Sequence, residues 1–120
     1  MDKNDLIKRI KIFVINVLRL CEKLPKSEIY YVFRNQLLRC ASSVGANHRA
    51  ACRAKSTADF INKLKIVEEE ADESIYFLEL LKEFETKNTS EIERLLLEAN
   101  ELLSIFVASI KTARNNQLTN

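Results

Sequence analysis

Three groups of residues in this 120-residue chain carry side chains able to do chemistry. Cys52 and His48 stand four residues apart, one turn if the stretch is helical, and a thiol beside an imidazole is the starting point of nucleophilic catalysis. A run of acidic residues, Glu68-Glu69-Glu70-Ala71-Asp72-Glu73, invites comparison with carboxylate-bridged metal sites. Arg49, Arg53, Lys55, Lys63 and Lys65, with Arg39 a few turns upstream, are a concentration of cations suited to phosphates.

The first two groups lack the companions their chemistry requires. A nucleophile also needs an orienting group and an oxyanion hole, and a chain whose only glycine is Gly45 has no Gly-rich turn to make one. Cys52 and His48 therefore read as a small apolar thiol and a partly exposed imidazole near a helix end, and the chain is not expected to be an enzyme. Di-metal bundles use Glu-x-x-His on paired helices, and the one histidine, His48, lies outside any such motif. No metal and no cofactor is expected. The acidic run fits a solvated face or salt bridges to a neighbouring basic helix, with Arg39 at the level of Glu69 to Glu73. Cys21, Cys40 and Cys52 are odd in number and form no CxxC pair, which argues against a disulfide scaffold and a zinc site and points to a reducing cytoplasm.

The cations remain. The formal net charge is only +2, but residues 1–65 carry 14 Lys/Arg against 5 Asp/Glu, whereas residues 66–120 carry 5 against 12. A basic half is the electrostatic footprint of a nucleic-acid binder. No aromatic platform or known recognition module accompanies it, so RNA or DNA binding through Arg39, Arg49, Arg53, Lys55, Lys63 and Lys65 should be salt-sensitive and weakly sequence-specific. The alternative is a structural or protein-interaction bundle in which the two unlike halves attract each other, within or between chains.

A 47% apolar chain with one Gly and one Pro cannot supply the turns of a β-sheet, so one all-α domain over residues 1–120 is expected. Apolar residues at three- and four-residue steps predict helices over about 4–24, 27–54, 57–85 and 91–113, with a frayed tail at 114–120. Pro25 ends the first helix, Ser27 caps the second, and Ser56 with Asp59 and Ser90 with Glu93 read as capping boxes for the third and fourth. The inward stripe of the second helix is Ile29, Phe33, Leu37, Cys40, Val44 and Ala51, and that of the third starts at Phe60. Asn47, one turn beyond Ser43, could fix register or oligomer state if buried. Short links give an up-down-up-down four-helix bundle. Ile7, Ile12, Ile15, Leu18, Leu97, Ile105 and Val107 fall off the inward stripes, which predicts subunit contacts. No secretory leader or membrane span is read: Lys8, Arg9, Lys11, Asn16 and Arg19 break the first apolar run.

The segment LLRCASSVGANHRAACRAKSTADFINKLKIVEEEADESIYFLELL, residues 37–81, resembles the four-helix-bundle proteins encoded in intervening sequences of bacterial 23S rRNA genes. It also resembles their relatives, the accessory proteins of diversity-generating retroelements. The likeness rests on LLRCASSVGAN with Asn47, the basic RAACRAKS turn, the ADFINKLKIVEEEADES start of the third helix, and the IYFLELL that follows. His48-Arg49-Ala50-Ala51 departs from the Ala-Glu-Gly type sequence that often follows the asparagine. The resemblance implies a non-enzymatic bundle forming a ring-like homopentamer with a positively charged surface. For the retroelement relatives it also implies partners in nucleic acid and a reverse transcriptase.

Overall fold

A computed structural model describes residues 1–119, with side chains through residue 118. It contains α1 (Lys3–Lys23), α2 (Glu28–Ala51), α3 (Thr57–Phe84) and α4 (Thr89–Thr119), and no strand among the described residues. Each helix packs on the next and α4 returns beside α1, giving a rod of 53 × 22 × 22 Å. Links of four or five residues leave no alternative to antiparallel neighbours.

Side chains specify the helix ends. Asp2 accepts from the Asp5 N–H at 2.8 Å while Asp5 accepts from the Asp2 N–H, a capping box that starts α1. Ser27 and Ser56 cap α2 and α3 as expected. The Asp59 carboxylate, however, accepts from the Lys55 N–H, one residue before the cap. α4 begins earlier than expected. The Asn88 carbonyl accepts the first helical bond, from Ile92, and Asn88 itself sits at φ 59°, so Ser90 lies inside the first turn and not at its cap. α2 ends at Ala51 instead of residue 54, because the Arg53 and Ala54 N–H groups reach back three residues and tighten the chain into the turn. α4 runs on through Thr119, where fraying from 114 was expected. No Gly or Pro interrupts it, so each further residue adds a helical bond; residue 120 lies outside the described residues.

The core takes one stripe from each helix, including Phe13, Val17 and Leu20 of α1, Leu37, Ala41 and Val44 of α2, and Leu64, Val67 and Leu78 of α3. Ile92, Leu102 and Phe106 complete it from α4. In the first turn of α2 the phase differs by one residue from expectation. Tyr30 turns inward, 5.4 Å from the Phe84 ring, and leaves Ile29 55% exposed. Ile61, not Phe60, begins the buried face of α3. Gly45 marks a close crossing: a Cβ there would meet Val14 at 3.4 Å and Ile10 at 3.9 Å. Asn47 bonds Ser43 of its own helix, at 2.9 Å to the carbonyl and 2.8 Å to the hydroxyl, and so fixes no register between helices.

Polar groups tie the ends. Arg34 donates to the carbonyls of Cys21, Leu24 and Pro25 at 3.0–3.2 Å, closing the C-terminus of α1. Arg9 grips Glu98 of α4 in a bidentate pair at 2.6 and 2.8 Å. Glu85, the C-cap of α3, is buried. One of its oxygens accepts from the N–H groups of Thr86 and Lys87, and the other has no partner. Arg34→Ala should cost about 1–3 kcal/mol, since the three carbonyls lose a charged donor. Arg34→Lys should recover less than half of that, a point-like ammonium lacking the fork that spans them; urea titration at fixed protein concentration checks both.

Candidate nucleic-acid interface

The up-down topology brings the start of α1, the end of α2, the start of α3 and the end of α4 to one end of the rod. Five cations, Arg49, Arg53, Lys55, Lys63 and Lys65, were expected to gather there, with Arg39 further along α2 at the level of Glu69 to Glu73. Arg39 does sit at mid-bundle, where it pairs with Glu73, with Glu70 at 3.4 Å and with Gln36 at 3.1 Å. Lys63 pairs with Asp59 at 2.6 Å, one turn back, and that ammonium together with the Lys55 N–H holds the Asp59 carboxyl below the usual carboxylate range. Arg49, Arg53, Lys55 and Lys65 are exposed and take no part in the described ion pairs.

The fold adds cations that sequence spacing did not reveal. Lys3 donates to the Cys52 carbonyl at 3.3 Å, at the negative end of the α2 dipole. Lys3, Lys11, Arg49 and Arg53 rim a groove of about 730 Å³ between α1 and α2, with Ile7, Ile10, Val14 and Ile15 along it. A second hollow of about 600 Å³ between the helix ends contains Lys3 and Lys55. No carboxylate lines either one. The nearest in sequence are Asp2 and Asp5, held in the α1 capping box, and Asp59, engaged at the start of α3 with the Lys55 N–H and the Lys63 ammonium. Around the corner Lys65, Lys111 and Arg114 share a shallow depression with Glu68. Lys3, Lys11, Lys111 and Arg114 are remote in sequence from the α2–α3 turn. The signal that could have placed them there was the antiparallel topology, which puts both chain ends beside that turn.

The Cys52 sulfur lies 3.9 Å from both ring nitrogens of His48, the outer limit of a hydrogen bond to sulfur. His48 is buried, not partly exposed: 6% of it is accessible, and its ring lies 5.9 Å from that of Phe106, tilted by 36°. The other thiols are interior. Burial pushes Cys21 up to about 11 and Cys40 upward as well, which disfavours the reactive thiolate. Ser74, fully buried, donates to the Glu70 carbonyl at 2.8 Å and lies 3.2 Å from the Cys40 sulfur. The acidic run of α3 splits between pairing with Arg39 and solvent, and no three His, Cys, Asp or Glu side chains converge on a metal position among the described residues. Among those residues no helix is long and apolar enough to cross a membrane.

Fold and site together define a four-helix bundle with a carboxylate-free cationic groove at one end. The family model of the 23S rRNA-intervening sequence protein matches residues 2–108, and the chain belongs to that family. It is similar to a protein of unknown function from the S23 ribosomal protein family of Bacteroides thetaiotaomicron. That crystal structure is 34% identical with a TM-score of 0.81, over 88% of this chain and 98% of that one. No functionally curated protein matches.

Burial, and then the Lys3 charge, hold His48 below its ordinary value of 6.5. On acidification the unfolded chain therefore takes up this proton before the native state does. Stability should fall as pH drops through 6.5 and level off below the folded-state value. His48→Leu should flatten that part of the profile, as thermal melts between about pH 7 and about pH 5 would register.

Proposed function

We propose that this protein is a non-enzymatic, oligomeric bundle that holds RNA or DNA with low sequence specificity through the cationic end of the rod. The observation that carries the reading is the gathering of Lys3, Arg49, Arg53 and Lys55 around hollows that no carboxylate lines. Lys65, Lys111 and Arg114 extend the surface, Lys63 contributes through its pair with Asp59, and Arg39 stands apart as a structural ion pair. Phosphates bind such a surface by charge and counterion release, without base readout. Three free thiols suit a reducing cytoplasm.

Affinity for a generic structured RNA should fall steeply between low and moderate salt. Arg53→Ala with Lys55→Ala should weaken binding uniformly across sequences and lower the salt slope by about 1 for each phosphate no longer neutralised. No binding at low salt by the folded protein would refute the reading.

Self-association belongs to the same proposal, a homopentamer first. Ile12, Leu97 and Val107 are 59%, 66% and 46% exposed, and subunit contacts would cover such residues. Ile15 is exposed as well, Ile7 and Leu18 are half-buried and Ile105 packs on the core, while Ile29, Tyr31, Val32 and Ile66 add exposed apolar surface that the sequence did not single out. Light scattering at micromolar concentration should report a multiple of the chain mass. The same exposed residues favour a second reading, a scaffold for a protein partner such as a reverse transcriptase, without direct nucleic-acid contact.

A further inference from the structure

The hollow between the helix ends is built from more than phosphate-binding charge. Leu64 and Phe106, both buried, close its bottom, and the half-buried Leu6, Ala54 and Phe60 form its wall. Because the buried face of α3 begins at Ile61, Phe60 is left at that wall beside the cations, where the sequence indicated no aromatic platform. The hydroxyls of Ser56, Thr57 and Ser109 line the same space. Ser109 donates to the Ile105 carbonyl at 2.9 Å, and its oxygen can still accept.

His48 is the second polar group without a good partner in place. It lines this hollow and the α1–α2 groove alike, it is buried, and among the described hydrogen bonds its ring nitrogens meet nothing nearer than the Cys52 sulfur at 3.9 Å. A neutral imidazole offers one donor and one acceptor. That mixture of surfaces selects an occupant. A hydrocarbon chain would leave the hydroxyls and the imidazole unpaired, and a phosphate alone would leave the wall of Leu6 and Phe60 wet. A nucleobase has apolar faces and a hydrogen-bonding edge, so it uses both. At about 600 Å³ the hollow falls within the range of small-ligand pockets, about 300–1,000 Å³.

We propose that the hollow between the helix ends receives one unpaired base of the bound nucleic acid, stacked on Phe60, with Lys3 and Lys55 taking the phosphates beside it. The proposal rests on the nucleic-acid reading above and names the kind of strand that the cationic end selects. The charges suit a backbone that passes over the base: Lys3 belongs to both hollows, Arg49 and Arg53 rim the groove on one side, and Lys55 stands on the other. A paired base is stacked inside its duplex and cannot enter, so bulges, loops and single-stranded ends are the targets. Stacking on an aromatic ring accepts any base, which keeps sequence preference low.

Two RNA hairpins test it, one with a single bulged nucleotide and the other identical except for an abasic residue at the bulge, which keeps every phosphate. In fluorescence anisotropy at low salt, the base should improve affinity about tenfold. Phe60→Leu removes the aromatic face and Ser109→Leu fills the hollow from α4, so each should erase that difference and leave the salt dependence unchanged. Circular dichroism shows that both variants keep their helices. Equal affinity of the parent protein for the two hairpins overturns the base site while leaving phosphate binding standing, and so does a difference that survives in both folded variants. Binding of neither hairpin at low salt overturns the nucleic-acid reading as well.

Discussion

Connections of four and five residues between helices of 21 to 31 residues are the constraint on which this molecule depends. A link that short permits only reversal, so every helix lies against its predecessor and the first and last are left to meet. Each helix is long enough to present an apolar stripe to the other three, and the stripes close on one another along the rod. The same constraint assembles the basic end, because it brings residues at both extremes of the chain beside the α2–α3 turn.

Electrostatics then sort the charges that the topology has gathered. Carboxylates on facing helices claim Arg9, Lys23 and Arg39, which become ties between α1 and α4 and between α2 and α3. Cations near the turn have fewer acidic neighbours, since Asp2, Asp5 and Asp59 are engaged in capping. The difference between a structural arginine and an available one is thus where the opposing helix carries acid, not the residue type. Thiols follow a similar logic. Cys21 and Cys40 sit in the core, where low polarity keeps them protonated, and their presence reflects packing volume more than reactivity.

Much of the architecture was legible along the chain. The three- and four-residue recurrence marked all four helices, Ser27 and Ser56 announced two of their starts, and Arg39 pairs where the hairpin register put it. Two of the errors have their cause in tertiary context and two in local backbone chemistry. Tyr30 replaces Ile29 inside because an aromatic cluster with Phe33 and Phe84 is available to it. His48 is buried because Phe106 of α4 provides a ring to lie against. Asn88, with a left-handed backbone that asparagine tolerates, starts α4 ahead of the more conventional Ser90 cap. Glu85, at the expected end of the third helix, is a buried cap because its carboxylate can take two backbone N–H groups at once.

Local periodicity, capping chemistry and scarcity of turn residues by themselves determined that this is an up-down-up-down bundle with a basic first half and an acidic second. Those properties act over one or two turns of chain, the range that a sequence displays directly. Which cations stay unpaired, that Lys3, Lys11, Lys111 and Arg114 join the α2–α3 turn, and that a groove with an apolar floor opens between α1 and α2 were decided only by the tertiary structure. Each depends on distances between residues far apart in the chain, set by how the helices pack.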